Sequence, residues 1–480
     1  MVKRKTRSFL NYNWNGISVV KKATCIFLFC TILQKAISII STPIFTRLMD
    51  TKEYGEFTIY QSWLSLFAIF TTFRLDYDVF NKGMSKYEDK DAYVSTLQIL
   101  TSVFTLVWFI FFLIFNKRIS SFVGLPSLVI IAIFLELFFM SPIAFWTLRE
   151  RYEFRYKKVA ALTITTTVLN ILLGVFFVFI AEDKGIARIL SCIVIQVVFG
   201  VFFYIVNVRK SDKIFVVEYA KFALLFNIPL IPHYLSAYIL NTVDKIMIQK
   251  IVGIPQAGIY GVVYSAGLVM TMITSAINNA LIPWQYQSLQ CGNMLGIKKC
   301  VNKIMVGLTF VLTVFVVLAP EFMRLFSSDI YYEGVYVIPP VAISVFFVFL
   351  YNLVCNAEFY YDKNKFTMIA SSVAAIMNII LNFIFINWFS YIAAGYTTLF
   401  CYITVAWSHV LYANKIAKKE SGNVIYDVKI LIVFTAYMVA LCVVATTIYK
   451  YIILIYFIVV LGICIGILFK SKISKMLKGQ

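Results

Sequence analysis

The chain has 480 residues, 61% of them hydrophobic and only 14% charged, with a formal net charge of +20. A mean hydropathy of +0.85 is far above what a soluble domain tolerates, so the composition is that of a polytopic membrane protein. Basic residues sit in short connections rather than in one long or aromatic-rich run, which excludes a nucleic-acid footprint.

A helix needs about 20 apolar residues to cross a bilayer. Stretches of that kind fall at 23–46, 56–73, 92–115, 126–147, 159–181, 186–207, 222–250, 257–282, 303–320, 335–357, 366–387, 390–413, 428–448 and 451–469. They predict an all-α membrane protein of about 14 transmembrane helices. Lys and Arg are retained on the cytoplasmic side. With the N-terminus inside, inward segments hold 32 of the 43 Lys and Arg, beginning with Lys3, Arg4, Lys5, Arg7, Lys21 and Lys22, while outward segments hold ten. Both termini are therefore expected in the cytoplasm, with the basic excess facing anionic inner-leaflet lipids. The first helix is too long for a signal-peptide core and has no small-residue cleavage site after it, so it is expected to remain.

In the first helix Thr31, Gln34, Lys35, Ser38, Ser41 and Thr42 recur every three or four residues and form one polar stripe. Lys35 lies near mid-span, where an unpaired ammonium is costly. It is expected to face a wet cavity or to pair with Glu136, which is mid-span in the fourth helix. The segment from Arg47 to Phe57 joins the first two helices. It aligns without a gap with Lys250 to Tyr260, between the seventh and eighth: a basic residue, an aliphatic pair, a turn, an acid or amide, then Gly and an aromatic. At the end of the second helix Asp76 and Asp78 follow Arg74, as loop acids that hold the cation or as acids for ion coupling.

Tyr152 to Phe177, with Lys157, Asn170 and Gly174, parallels Tyr360 to Phe385, with Lys365, Asn378 and Asn382. Together the two matches divide the chain into six-helix halves at 1–212 and 213–418, with helices 13 and 14 added at 419–480. An even number of helices per half gives both the same orientation, as in secondary transporters built from parallel repeats. Arg47, Arg188, Lys245 and Lys250 are the basic residues near the outer half that could face a cleft; Arg47 and Lys250, which recur in the repeated connection, read as helix-end anchors. The seventh helix carries Tyr234, Tyr238, Asn241 and Lys245 on one stripe, with His233 and Asp244 adjacent. Pro229 and Pro232 just before it remove backbone donors and kink the helix, as at broken transporter helices.

The nine Cys are scattered, and Cys291 and Cys300 lack metal-type spacing, so neither a disulfide nor a metal is assigned. No nucleophile elbow, metal-ligand cluster, phosphate-binding glycine loop or paired carboxylate site is present, and the two His lie on different helices. These absences argue against an enzyme, including a membrane polysaccharide polymerase, and no cofactor is expected.

The stretch from Phe73 to Tyr87, Phe-Arg-Leu-Asp-Tyr-Asp-Val-Phe-Asn-Lys-Gly-Met-Ser-Lys-Tyr, resembles the end of the second helix in bacterial polysaccharide flippases. So does the run from Ile228 to Leu235, followed by Asn241, Asp244 and Ala257 to Tyr260. The chain is similar to the polysaccharide-transport branch of the multidrug, oligosaccharidyl-lipid and polysaccharide exporter superfamily, although Asn81 stands where many relatives carry a basic residue. The resemblance implies a V-shaped pair of pseudo-symmetric lobes in a bacterial cytoplasmic membrane. It also implies an undecaprenyl-diphosphate-linked oligosaccharide as cargo and glycosyltransferases and a polymerase of the same pathway as partners. Lys35, Arg188 and Lys245 would then meet the diphosphate, with His233, Tyr234, Tyr238 and Asn241 among the groups that accommodate sugars. With no nucleotide-binding motif, energy is expected from H+ or Na+ coupling through Glu136, Asp76 or Asp244, or from product removal. A drug or organic-cation antiporter and a lipid II flippase are the rivals from the same superfamily; basic residues outnumber acids within the spans, which favours an anionic cargo.

Overall fold

The computed structural model describes residues 19–361 and 363–451. They form helices α1 (Val19–Leu48), α2 (Thr51–Thr72), α3 (Asp78–Lys86), α4 (Lys90–Ile114), α5 (Asn116–Val123), α6 (Ser127–Tyr152), α7 (Tyr156–Ile180), α8 (Lys184–Arg209), α9 (Val217–Asn227) and α10 (Ile231–Tyr238). These are followed by α11 (Asp244–Ile251), α12 (Ile254–Gly267), α13 (Thr271–Gln290), α14 (Met294–Val317), α15 (Ala319–Phe326), α16 (Ile338–Tyr360), α17 (Asn364–Phe389), α18 (Ile392–Ser421) and α19 (Val428–Ile448). The protein is all-α, with no strand among the described residues. Eleven of the helical stretches are long and apolar enough to cross a membrane. Helices α2 and α18 fill the places of the second and twelfth predicted spans, and the fourteenth, at 451–469, lies outside the described residues apart from Tyr451.

Only helices satisfy all their backbone groups within one segment, which is why apolar runs of this length fold this way in lipid. Their ends are set by short polar caps. Asp50 accepts from Glu53 N at 2.8 Å while Glu53 accepts from Asp50 N at 2.8 Å, a reciprocal capping box that starts α2. Asp89, Asp183, Asn293 and Asp427 cap α4, α8, α14 and α19 in the same N-terminal position. Inside the spans, hydroxyls such as Thr58, Ser62 and Thr96 donate to the carbonyl four residues earlier and so are satisfied within their own helix. Large apolar side chains at Ile369, Val373, Ile376, Ile380 and Phe383 are exposed at three- and four-residue intervals, the face that α17 presents to acyl chains.

Two compact units divide between Gly258 and Ile259. In the first, α6 packs on α8, α2 and α4, and α7 packs on α1 and α8. In the second, α16 is the central helix, buried along nearly its whole length against α13, α17 and α18.

The region predicted as the seventh span is broken. At Pro229 it tightens into a 3-10 turn over Ile228–Leu230, and over Ile239–Val243 it widens into a π turn. Proline removes one backbone donor, and a π turn inserts one residue into the ladder, so the faces before and after it are out of register. This is why Tyr238 is buried while Asn241, three residues on, is exposed.

Candidate functional site

One buried cation of the first unit is Arg188. The residue is 6% exposed. Nη2 donates to Asn170 Oδ1 at 2.7 Å, and Nη1 donates to Asn170 O at 3.3 Å and Ser191 Oγ at 3.0 Å. The ring faces of Phe45 and Phe57 lie 4.2 and 5.0 Å from its central carbon. Its Nε has no hydrogen-bond partner among the described residues. Gly174 on α7 makes the room: a Cβ there would stand 2.6 Å from Nη1. An arginine cannot shed its charge. A cation is therefore held in the interior by neutral dipoles and aromatic faces.

Glu136 belongs to the same helix packing. It is 4% exposed, and its Oε2 accepts from Tyr60 Oη at 2.5 Å. Among the described ion pairs none joins Glu136 to Lys35, which sits on an exposed face of α1. The acid's partner is thus a tyrosine of α2, and the sequence could not name it because Tyr60 is one of 30 tyrosines.

A second cluster forms where α2 stops. Phe73 and Arg74 adopt left-handed conformations, φ 47° and 52°, which cost non-glycine residues steric energy and need outside support. Asn227, at the end of α9 and fully buried, supplies it: its Nδ2 donates to both carbonyls at 2.7 Å. Arg74 lies 3.8 Å over the Tyr77 ring and 3.9 Å from Asp76, and Tyr77 meets Tyr234 at 5.5 Å. His233, also on α10, is half-buried within electrostatic reach of Asp78. Lys82 and Lys86 lie over the Phe226 and Phe222 rings. Gly83 gives room to Tyr93: a Cβ would stand 2.0 Å from that ring, whose hydroxyl donates to Val79 O at 2.9 Å, so any side chain at 83 must displace it.

The other singled-out residues are distributed along the broken helix. Tyr238 Oη donates to Ser62 O at 2.9 Å. Asn241 donates to Ala237 O at 2.7 Å. Asp244 is 1% exposed and accepts from Lys245 N at 2.9 Å, with the Lys245 side chain half-buried. The structure therefore brings Asp76, His233 and Tyr234 into one neighbourhood, sets Arg188 and Glu136 in another, and leaves Lys35 apart. The anchors are simple: Arg47 donates to Pro43 O at 3.0 Å and Lys250 to Ser121 O at 3.4 Å.

The repeated connection also acquires a contact. Gly55 and Gly258, the matching glycines, face each other: a Cβ on Gly55 would stand 2.2 Å from Ile254 O, and one on Gly258 2.2 Å from Thr51 O. Two helices can approach this closely only where both lack a side chain.

A family model described as polysaccharide biosynthesis protein matches residues 19–288. An uncharacterized membrane protein of Haemophilus influenzae is 22% identical over 365 residues, covering 73% of this chain and 86% of its own. The same organism's Lsg locus putative protein 1 is 24% identical over 283 residues, 56% of this chain and 67% of its own. Among solved structures, the lipid II flippase MurJ in an inward closed conformation superposes with TM-score 0.66 at 14% identity, over 94% of this chain and 100% of that one. An inward-facing multidrug transporter of the MATE family gives TM-score 0.60 at 13% identity, over 81% and 96%. At these identities the two structures establish the fold.

Proposed function

Since the chain belongs to the family of polysaccharide biosynthesis proteins, we propose that it is a flippase that carries undecaprenyl-diphosphate-linked oligosaccharide units across a bacterial cytoplasmic membrane, from the cytoplasmic to the outer leaflet. Capsule, exopolysaccharide or O-antigen assembly would follow outside. The observation that carries this reading is Arg188, a buried cation whose hydrogen-bond partners are neutral and whose Nε is open. Glu136 lies within electrostatic reach of this guanidinium but takes the Tyr60 hydroxyl and forms no described ion pair with it, so an arriving diphosphate would supply the charge-assisted bonds that the buried cation lacks. An organic-cation exporter would gain nothing from it. The cargo's polyprenyl tail can remain in lipid, so only its diphosphate and sugars need a polar route.

On this reading the halves at 1–212 and 213–418 alternate access, with 419–480 as an added pair, both termini are cytoplasmic, and the cycle is coupled to H+ or Na+. Lys35 and Lys245 are further contacts for the diphosphate. His233, Tyr234, Tyr238 and Asn241 serve the sugars, and Glu136, Asp76 and Asp244 serve coupling. Glycosyltransferases and a polymerase of the same pathway would supply and consume the cargo.

Deleting the gene and analysing lipid-linked glycans on the inner face tests the assignment. Accumulation of a lipid-linked oligosaccharide, reversed by the wild-type chain and Arg188→Lys but not by Arg188→Ala, is the expected outcome. Accumulation of lipid II alone would assign the chain to the rival cargo, and full activity of Arg188→Ala would remove the role given to that cation.

A further inference from the structure

The second unit holds a buried cluster that the reading above does not use. Cys355 and Glu358 lie one turn apart on α16, and His409 reaches them from α18; the three are 4%, 0% and 0% exposed. One ligand atom from each lies within 4.8 Å of the others. His409 Nδ1 stands 2.8 and 2.9 Å from the two carboxylate oxygens of Glu358 and 3.6 Å from Cys355 Sγ. Thr367, in the first turn of α17, donates to Glu358 Oε2 at 3.0 Å. The rings of Tyr351 and Phe366 flank the imidazole at 4.9 and 5.2 Å. His409 Nε2 has no hydrogen-bond partner among the described residues, so the ring's polar chemistry is directed through Nδ1 alone.

The internal repeat shows what this acid lacks. Glu150 and Glu358 are equivalent, because Tyr152 matches Tyr360. Their backbones agree: Arg155 N donates to Glu150 O at 2.8 Å, and Lys363 N to Glu358 O at 2.9 Å. Glu150, also fully buried, has two permanent cations, Arg155 at 3.4 Å and Lys158 at 3.7 Å. At the position matching Lys158 stands Phe366, and the Lys363 side chain is exposed. The one ion-pair partner described for Glu358 is His409, whose charge is conditional. A buried carboxylate in its charged form is stabilised by a counter-charge.

The geometry points to a site for a thiophilic divalent cation of the zinc class at Cys355, Glu358 and His409. Thiolate and carboxylate together cancel a charge of two, with neutral imidazole as third ligand, so the loaded site is neutral in the protein interior. Metal–nitrogen and metal–sulfur bonds of about 2.0 and 2.3 Å in a tetrahedron place the two ligand atoms about 3.5 Å apart, close to the 3.6 Å found here. The nitrogen–oxygen separation of about 3.3 Å that the same geometry asks for needs only a small outward turn of the carboxylate. Thr367 orients that carboxylate from outside the ligand set, and three protein ligands leave one position for water. Glu358 is two residues from the end of α16 and Thr367 three residues into α17, so the site lies within about a turn of these two helix ends. A bound ion would tie α16 to α18 with bonds stronger than any side-chain contact between them.

The test uses the full chain, purified in detergent, stripped with chelator, then titrated with zinc and with cobalt. One equivalent of zinc is expected, with a rise in unfolding temperature, and cobalt should give a thiolate charge-transfer band. Cys355→Ser, Glu358→Gln and His409→Gln should each weaken binding by at least about tenfold, and Cys355→Ser should abolish the band. Cys355→Ser is nearly isosteric, so it stands as the decisive variant even if the other two do not fold. Equal zinc retention by the wild type and Cys355→Ser, or no retention by the wild type, overturns the site and leaves a hydrogen-bonded Glu358–His409 pair.

Discussion

The contact between Gly55 and Gly258 predicts that one substitution has opposite signs at two helical positions. In Gly258→Ala the added Cβ meets Thr51 O at 2.2 Å, Gly55 N at 2.8 Å and Gly55 Cα at 2.9 Å. Ordinary van der Waals contact begins near 3.4 Å, so α2 and α12 must separate by about 1 Å. The obstacle is backbone, which has no rotamer to escape into. The cost belongs at the upper end for overpacking, about 3 kcal/mol. Alanine's helical advantage over glycine returns about 1 kcal/mol, for a net loss of about 2 kcal/mol. At Gly307 in α14 nothing lies within 4 Å of the added methyl, so Gly307→Ala keeps only the gain. Thermal unfolding in detergent, followed by loss of the monodisperse chromatographic peak, should show Gly258→Ala melting below the wild type and Gly307→Ala at or above it. Gly55→Ala should resemble Gly258→Ala, and the double variant should fall short of the sum because both methyls open the same contact. If Gly258→Ala melts with or above the wild type, the close approach is not a feature of the folded protein.

Asn227→Ala removes the donor shared by the strained carbonyls of Phe73 and Arg74; we expect a loss of about 1–3 kcal/mol and easier proteolysis near 73–77, and unchanged protection would show that the bend holds itself. Tyr60→Phe leaves the buried Glu136 without the hydroxyl it accepts from, so it should lower the melting temperature, while Tyr60→Phe combined with Glu136→Gln recovers part of the loss. Glu136→Gln alone should weaken transport and flatten its dependence on pH or sodium; an unaltered dependence would remove Glu136 from coupling. Lys35→Ala should abolish complementation of a flippase-null strain and Lys35→Arg should be partly tolerated, whereas normal surface glycan in Lys35→Ala would end its role at the diphosphate.

The element order was legible because membrane insertion is decided locally. A run of about 20 apolar residues specifies a helix whatever it packs against. The break announced by Pro229 and Pro232 was legible too, because proline acts on its own turn of helix. Pairings were not. Glu136 takes Tyr60, 76 residues away, rather than Lys35, and Glu358 takes His409, 51 residues away. Arg188 finds Asn170 only because Gly174 leaves the space, and the π turn after Tyr238 moves Asn241 to another face than the uninterrupted period assigns. In an apolar solvent every span looks alike from outside. Which faces meet depends on side-chain volume, backbone approach and the need of each buried charge for a partner, and these exist only once the helices are packed.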